Sequence, residues 1–252
     1  MTAQKETDPA LAARNYRLEF VSEMRELCRN DPGARAALRG GLGRPLNHAR
    51  VRPMHRLVAG WLPSAASDSY QRAHYTVAAL IAAQPRHSFA ASDDADAEKQ
   101  QFEGDAEPPE AVEEVAGEEG EEAADESAAE QKDAPKPYGD SLGTAFALAV
   151  VKSAAWERGM RLTTAEGCLN ILTRQSVNGL HRHLPSSVLY LRGLDVPVDK
   201  AQLLQDLIDW PDRSGRISRR WLQDFYRRVA GEGKRAKKQN EGKGAEGSSP
   251  NE

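Results

Sequence analysis

The sequence predicts an all-α protein of two small helical bundles joined by a long acidic disordered insertion. Three observations predict it. Apolar residues recur at three- and four-residue spacing on both flanks of the insertion. Two-residue alternation is nearly absent, and only Asn178-Gly179 offers a hairpin-type turn. Charge is segregated: residues 93–133 hold 18 acids and two bases, a net −16, while the rest of the 252-residue chain holds 32 bases and 20 acids, a net +12. Residues 9–87 therefore read as an N-terminal helical lobe and 88–139 as the insertion, followed by a C-terminal lobe over 140–230 and a disordered tail over 231–252. The insertion and the tail are rich in Glu, Ala, Gly, Lys and Ser, and too poor in apolar surface to offset the entropy of ordering.

The first helix has Asp8 as N-cap and Pro9 at its first position, and Phe20, Val21, Met24, Leu27 and Cys28 form its buried stripe. Asn30-Asp31-Pro32-Gly33 ends it and opens a short second helix, which Gly40-Gly41 closes. Met54, Leu57, Val58 and Trp61 mark the next helix, and one beginning near Asp68 packs through Tyr70, Val77, Leu80 and Ile81. Beyond the insertion, Ser141 caps a helix bearing Phe146, Ala149 and Val150, and Thr164 and Glu166 open another through Leu169 and Leu172. A short segment spans Val188 to Leu194. Asp199 caps Leu203, Leu204, Leu207, Ile208 and Trp210, and a last helix from Ser214 to Ala230 buries Ile217, Trp221, Leu222, Phe225 and Val229.

The same reading sets aside several function classes. No apolar run reaches the roughly 18 residues of a membrane span, and the N-terminus lacks the basic-then-apolar order of a secretory signal, so the cytoplasm is the expected compartment. Cys28 and Cys168 stand far apart with no Cys or His at metal-ligand spacing, so neither a disulfide framework nor a zinc site is expected. His181 and His183 are the one close histidine pair, but on a helix they point to different faces. Gly40-Gly41-Leu42-Gly43 lacks the Lys-Ser/Thr of a phosphate loop and reads as a helix stop. No nucleophile beside a base and no converging carboxylate pair emerges, so no catalytic residue, metal or cofactor is expected.

Arginine carries the functional signal. Pro32 to Trp61 contains Arg35, Arg39, Arg44, Arg50, Arg52 and Arg56 and no acid at all, whereas solvated surfaces intersperse both signs. In the last helix Arg216, Arg220 and Arg227 fall in one stripe, flanked by Arg219, opposite the apolar face. The guanidinium fork suits phosphate oxygens, and no base-reading motif accompanies it, so the expectation is sequence-tolerant backbone binding.

These stretches resemble a known family. Phe20–Arg44 (FVSEMRELCRNDPGARAALRGGLGR), Tyr70–Pro85 (YQRAHYTVAALIAAQP), Ser141–Ala147 (SLGTAFA), His181–Leu184 (HRHL), Val196–Trp210 (VPVDKAQLLQDLIDW) and Arg219–Tyr226 (RRWLQDFY) together resemble the CasB-type (Cse-type) small subunit of the type I-E CRISPR complex, Cascade. The resemblance implies a non-catalytic antiviral-defence subunit. Its partners would be the large and backbone subunits, a second copy of itself, guide RNA and target DNA, with no membrane. Its role would be to stabilise the guide RNA–target DNA duplex and the displaced strand. Arg72, Arg174, Arg182 and Arg192 match positions where the family places basic residues near nucleic acid, and Arg216, Arg219 and Arg220 match the basic start of its last helix. With Arg44, Arg50, Arg52 and Arg56 from the acid-free run, these form the expected interface. Lys200 departs from the usual Trp, and Pro185-Ser186 replace an often charged pair. A stand-alone, sequence-nonspecific nucleic-acid-binding protein is the alternative reading.

Overall fold

A computed structural model describes residues 8–85, 138–155 and 159–244. The acidic run over 93–133 and residues 245–252 of the tail lie outside the described residues. Helices and turns make up all the regular structure among those described. Helix α1 (Pro9–Asn30) starts where the sequence places it, with the Asp8 carboxylate accepting the Ala10 N–H at 2.9 Å. Its buried face carries Phe20, Val21, Met24 and Cys28, and also Arg17. Cys28 is a core residue whose thiol burial pushes up to about 11. Asp31 ends α1 and caps α2 (Pro32–Arg39), accepting from the Gly33 and Ala34 N–H groups at 2.7 and 2.9 Å.

The single helix expected around Met54 is instead three short pieces: a 3-10 turn over Ala49–Met54, α3 (His55–Val58) and a 3-10 turn over Ala59–Trp61. Pro53 has no N–H to donate and Gly60 adds backbone entropy, so a continuous helix is not favoured here. Helix α4 (Asp68–Ala82), capped by Ser67, is buried from Ala73 to its end.

Helix α5 (Leu142–Ala155) begins with the Thr144 N–H donating to Ser141 Oγ. Gly143 allows it to lie directly on a later helix, because a Cβ there would sit 2.6 Å from the Trp221 carbonyl carbon and 2.9 Å from its Cα. Helix α6 spans Leu162–Thr173. The short segment expected at Val188–Leu194 is the end of a longer helix, α7 (Val177–Gly193). Ser176 caps it by accepting from Gly179, so Asn178-Gly179 opens a helix rather than turning a hairpin. Pro185 forgoes one helical hydrogen bond without ending α7. Its buried ring packs near the Gly43 turn, where φ is 68°.

Helix α8 (Lys200–Gly244) opens with Asp199 accepting the Gln202 N–H at 2.9 Å. Non-helical backbone at Arg213 (φ −129°, ψ 19°) kinks it two residues after Pro211, so the two helices expected on either side of Ser214 meet there. It continues past Ala230 to Gly244, through residues expected in the tail. The helices flanking the insertion share one continuous core, with α8 packed on α5, α4 and α1 and the Trp210 and Trp221 rings 5.2 Å apart across the kink.

Candidate nucleic-acid interface

Three stretches without a single carboxylate, residues 32–61, 69–85 and 174–194, come together in the fold. They supply α2 with its following turns, most of α4, and α7. Arg35 holds the first to the second, donating from Nε to the Ala82 carbonyl at 3.2 Å and from Nη2 to the Gln84 carbonyl at 2.5 Å. The Gly43 turn rests on α7, since a Cβ at that glycine would lie 3.9 Å from Pro185 Cγ and 4.0 Å from the Arg182 carbonyl oxygen. Arg72 on α4 donates to Asn178 Oδ1 on α7. Chain segments distant in sequence thus form one acid-free face. Such a face concentrates positive charge, because none of the three stretches carries a carboxylate of its own.

The expected arginines divide by exposure. Arg50, Arg52, Arg56, Arg174, Arg182, Arg216 and Arg219 are exposed, whereas Arg44, Arg72, Arg192 and Arg220 are half-buried. Arg192 donates to the Ala83 carbonyl just beyond α4, and so ties α7 to the end of that helix. Arg72 has its Nε buried without a hydrogen-bond partner, and burial lowers its pKa. Arg72 and Arg192 therefore spend part of their donor capacity on internal acceptors. Arg174, Arg182, Arg50 and Arg52 present theirs outward.

The C-terminal arginines lie on α8, whose Ser218 donates to the Thr173 carbonyl at 3.1 Å, beside Arg174. Arg216 and Arg219 are exposed on α8, as the helical stripe requires. Arg220 is not a simple surface residue. Its Nη2 donates to Oδ1 of Asp206, a carboxylate 1 % exposed that also accepts from Gln202 Nε2 at 2.8 Å and Trp221 Nε1 at 2.6 Å. Burial raises the Asp206 pKa, and Arg220 opposes that rise. The sequence reading placed Arg220 away from the packed face. The Pro211 kink brings its turn of α8 against Asp206 instead.

His181 and His183 point apart as expected: His183 is exposed, while His181 is buried with Nδ1 2.8 Å from Thr76 Oγ1. Burial, with Arg72 nearby, lowers His181 to about 3, so it stays neutral. Among the described residues no group of three or more His, Cys, Asp or Glu side chains could hold a metal, and no helix is long and apolar enough to cross a membrane. Among the charged residues that the sequence reading did not place as buried are Arg17, Lys200 and Asp206. Arg17 precedes Phe20, Val21 and Met24 by three, four and seven positions, which places it on the apolar stripe of α1. Asp206 likewise lies three positions after Leu203 and four before Trp210.

The sequence matches the family model described as CRISPR-associated protein Cse2 over residues 34–226. Two solved structures share the fold. A chain of a CRISPR RNA-guided surveillance complex in a pre-nicking state is 28 % identical with a TM-score of 0.65, and the match covers 88 % of this chain and 98 % of that one. A chain of a second CRISPR RNA-guided surveillance complex is also 28 % identical, with a TM-score of 0.62, covering 89 % and 99 % of the two chains. No curated protein matches the sequence.

Proposed function

Since the chain belongs to the Cse2 family of CRISPR-associated proteins, we propose that it is a non-catalytic small subunit of a type I-E CRISPR RNA-guided surveillance complex. Its part there is to hold the guide RNA–target DNA duplex and the displaced strand by their phosphates. The similar chains of two such complexes support the assembly. One observation carries the nucleic-acid role: three stretches free of Asp and Glu converge on a face that presents Arg50, Arg52, Arg174 and Arg182 to solvent. Phosphate contacts of this kind fix register and orientation while carrying no sequence information. Sequence recognition falls to base pairing with the guide. The other subunits and a second copy of this chain are the protein partners in this reading.

The test replaces Arg52, Arg174 and Arg182 together by Ala in the full chain. All three are exposed, so the helical circular dichroism and assembly should be retained. Single-stranded DNA binding should weaken by a similar factor for unrelated sequences. The log-affinity against log-salt slope should flatten by about 2, from ~0.7 per phosphate contact. An unchanged affinity and slope, in the chain alone and in the complex, overturns the role assigned to this face.

A further inference from the structure

A cleft of about 560 Å³ opens between α1, the Tyr138-Gly139 segment and the kinked middle of α8. Its polar lining includes Arg17, Arg216 and Arg220 together with Asp206 and Asp209. The carboxylates there are already engaged: Asp206 by Arg220, Asp209 by Arg213 at 3.5 Å and Asp224 by Arg227 at 3.7 Å. Arg17 and Arg216 have no carboxylate within ion-pair distance among the described residues. Arg17 is only 7 % exposed, and its Nε, like that of Arg220, is buried with no hydrogen-bond partner. An unpaired buried guanidinium is among the costliest groups to carry in a fold. Burial and then the neighbouring Arg14 lower its pKa, and the more distant Asp209 and Asp199 offset this only in part.

We propose that this cleft is a phosphate-binding site in which Arg17, from α1, and Arg216, from α8, take a single phosphate group. Phosphate matches the lining better than a carboxylate does. It carries up to two charges for two guanidiniums that have no ion pair, and its several acceptor oxygens suit their forked donors. The lining of the cleft shares no residue with the α4–α7 face. The proposal rests on the function argued above only where the phosphate belongs to a polynucleotide strand.

Inorganic phosphate is the first probe, titrated into the full chain at fixed ionic strength and followed by 31P NMR and by thermal melting. The wild type should bind phosphate and melt higher with it than with chloride. Arg216→Ala, at an exposed position, should fold normally and lose at least tenfold in phosphate affinity. Arg17→Leu should lose as much and melt at or above the wild type without phosphate, because the change removes an unpaired buried charge; an arginine with a purely structural role would melt lower. If Arg17→Leu fails to fold, Arg216→Ala alone decides. A single-stranded oligonucleotide that displaces the phosphate identifies a strand contact. Phosphate binding without displacement supports a site for a small phosphate compound. Absence of phosphate binding by the wild type, or equal binding by both variants, overturns the proposal. Equal phosphate binding accompanied by loss of complex assembly also overturns it and marks the cleft as a protein contact. None of these outcomes depends on the α4–α7 face, so the two readings fail separately.

Discussion

Replacing Arg220 by Ala should cost far more stability than an ordinary surface change, and the cost should depend on pH. Asp206 is 1 % exposed and accepts three hydrogen bonds, from Arg220, Gln202 and Trp221, with Arg220 as the only cation among them. Breaking a buried pair by removing one partner costs about 3–5 kcal/mol when both ends are dry. Here the Arg220 side chain is 36 % exposed, so water can follow into the gap, and two donors remain on the carboxylate. About 2 kcal/mol is the better figure, which for a chain of this size lowers Tm by about 4–8 °C. Burial raises the Asp206 pKa in the native state, so the native chain binds that proton more tightly than the unfolded one. Stability from this group is therefore fullest at low pH and falls as pH rises through the folded-state value. Removing Arg220 raises that value further, so the penalty should be greatest where the carboxylate is ionised and shrink as pH falls through the raised value. Asp206→Asn should relieve it: in a double-mutant cycle read by urea denaturation, the pair should show coupling of at least ~1 kcal/mol. A variant within about 0.5 kcal/mol of wild type at pH 7, with no coupling to Asp206, would refute the reasoning.

Three further outcomes are expected. Gly143→Ala should lower Tm despite alanine's helix propensity, because the new Cβ meets the Trp221 backbone rather than a movable side chain; an unchanged or higher Tm would mean that α5 and α8 separate at little cost. His181, held at about 3 by burial, should make stability fall as pH drops below the unfolded value of 6.5, at a slope approaching ~1.4 kcal/mol per pH unit, and His181→Gln should remove that slope in pH-dependent unfolding. Deleting residues 93–133 should leave the helical signal intact and tighten single-stranded DNA binding at low salt, since a tethered −16 segment competes for the +12 remainder. That gain should shrink as ionic strength rises, and weaker binding at low salt would contradict it.

The sequence made four helix starts legible where a polar cap met an apolar stripe, but Thr164 and Glu166, read as opening a helix, lie inside α6, which begins at Leu162 without a side-chain cap. Asp8, Asp31, Ser141 and Asp199 all accept from the first turns of their helices, because short-range cap chemistry is written within three residues. It misjudged elements whose outcome depends on tertiary packing. Asn178-Gly179 looks like a turn in isolation, yet Ser176 and the packed Leu180 and Leu184 make it helical. The candidate interface was legible as composition, since the acid-free run over 32–61 stands out by counting. Which arginines remain available was not legible, because Arg72, Arg192 and Arg220 find their acceptors on segments remote in sequence. Arg17 left a readable sign, a cation in register with Phe20 and Met24. Spacing alone cannot show that its Nε is left without a hydrogen-bond partner.

The carbonyls at the end of α4 are clasped by Arg35 and Arg192, and the Gly139 N–H that precedes α5 is bonded to Gln202 at 2.8 Å. Both points where the chain departs from and rejoins the helical body are thus secured by the body itself. Loop-closure cost grows only with the logarithm of length, about 0.6 kcal/mol per doubling. The span between Pro85 and Tyr138 is in this sense a port. A short linker, a fluorescent reporter or a tether to a surface could occupy it with the helices on either side keeping their register, which makes it the natural place to attach a probe to this subunit in an assembled complex.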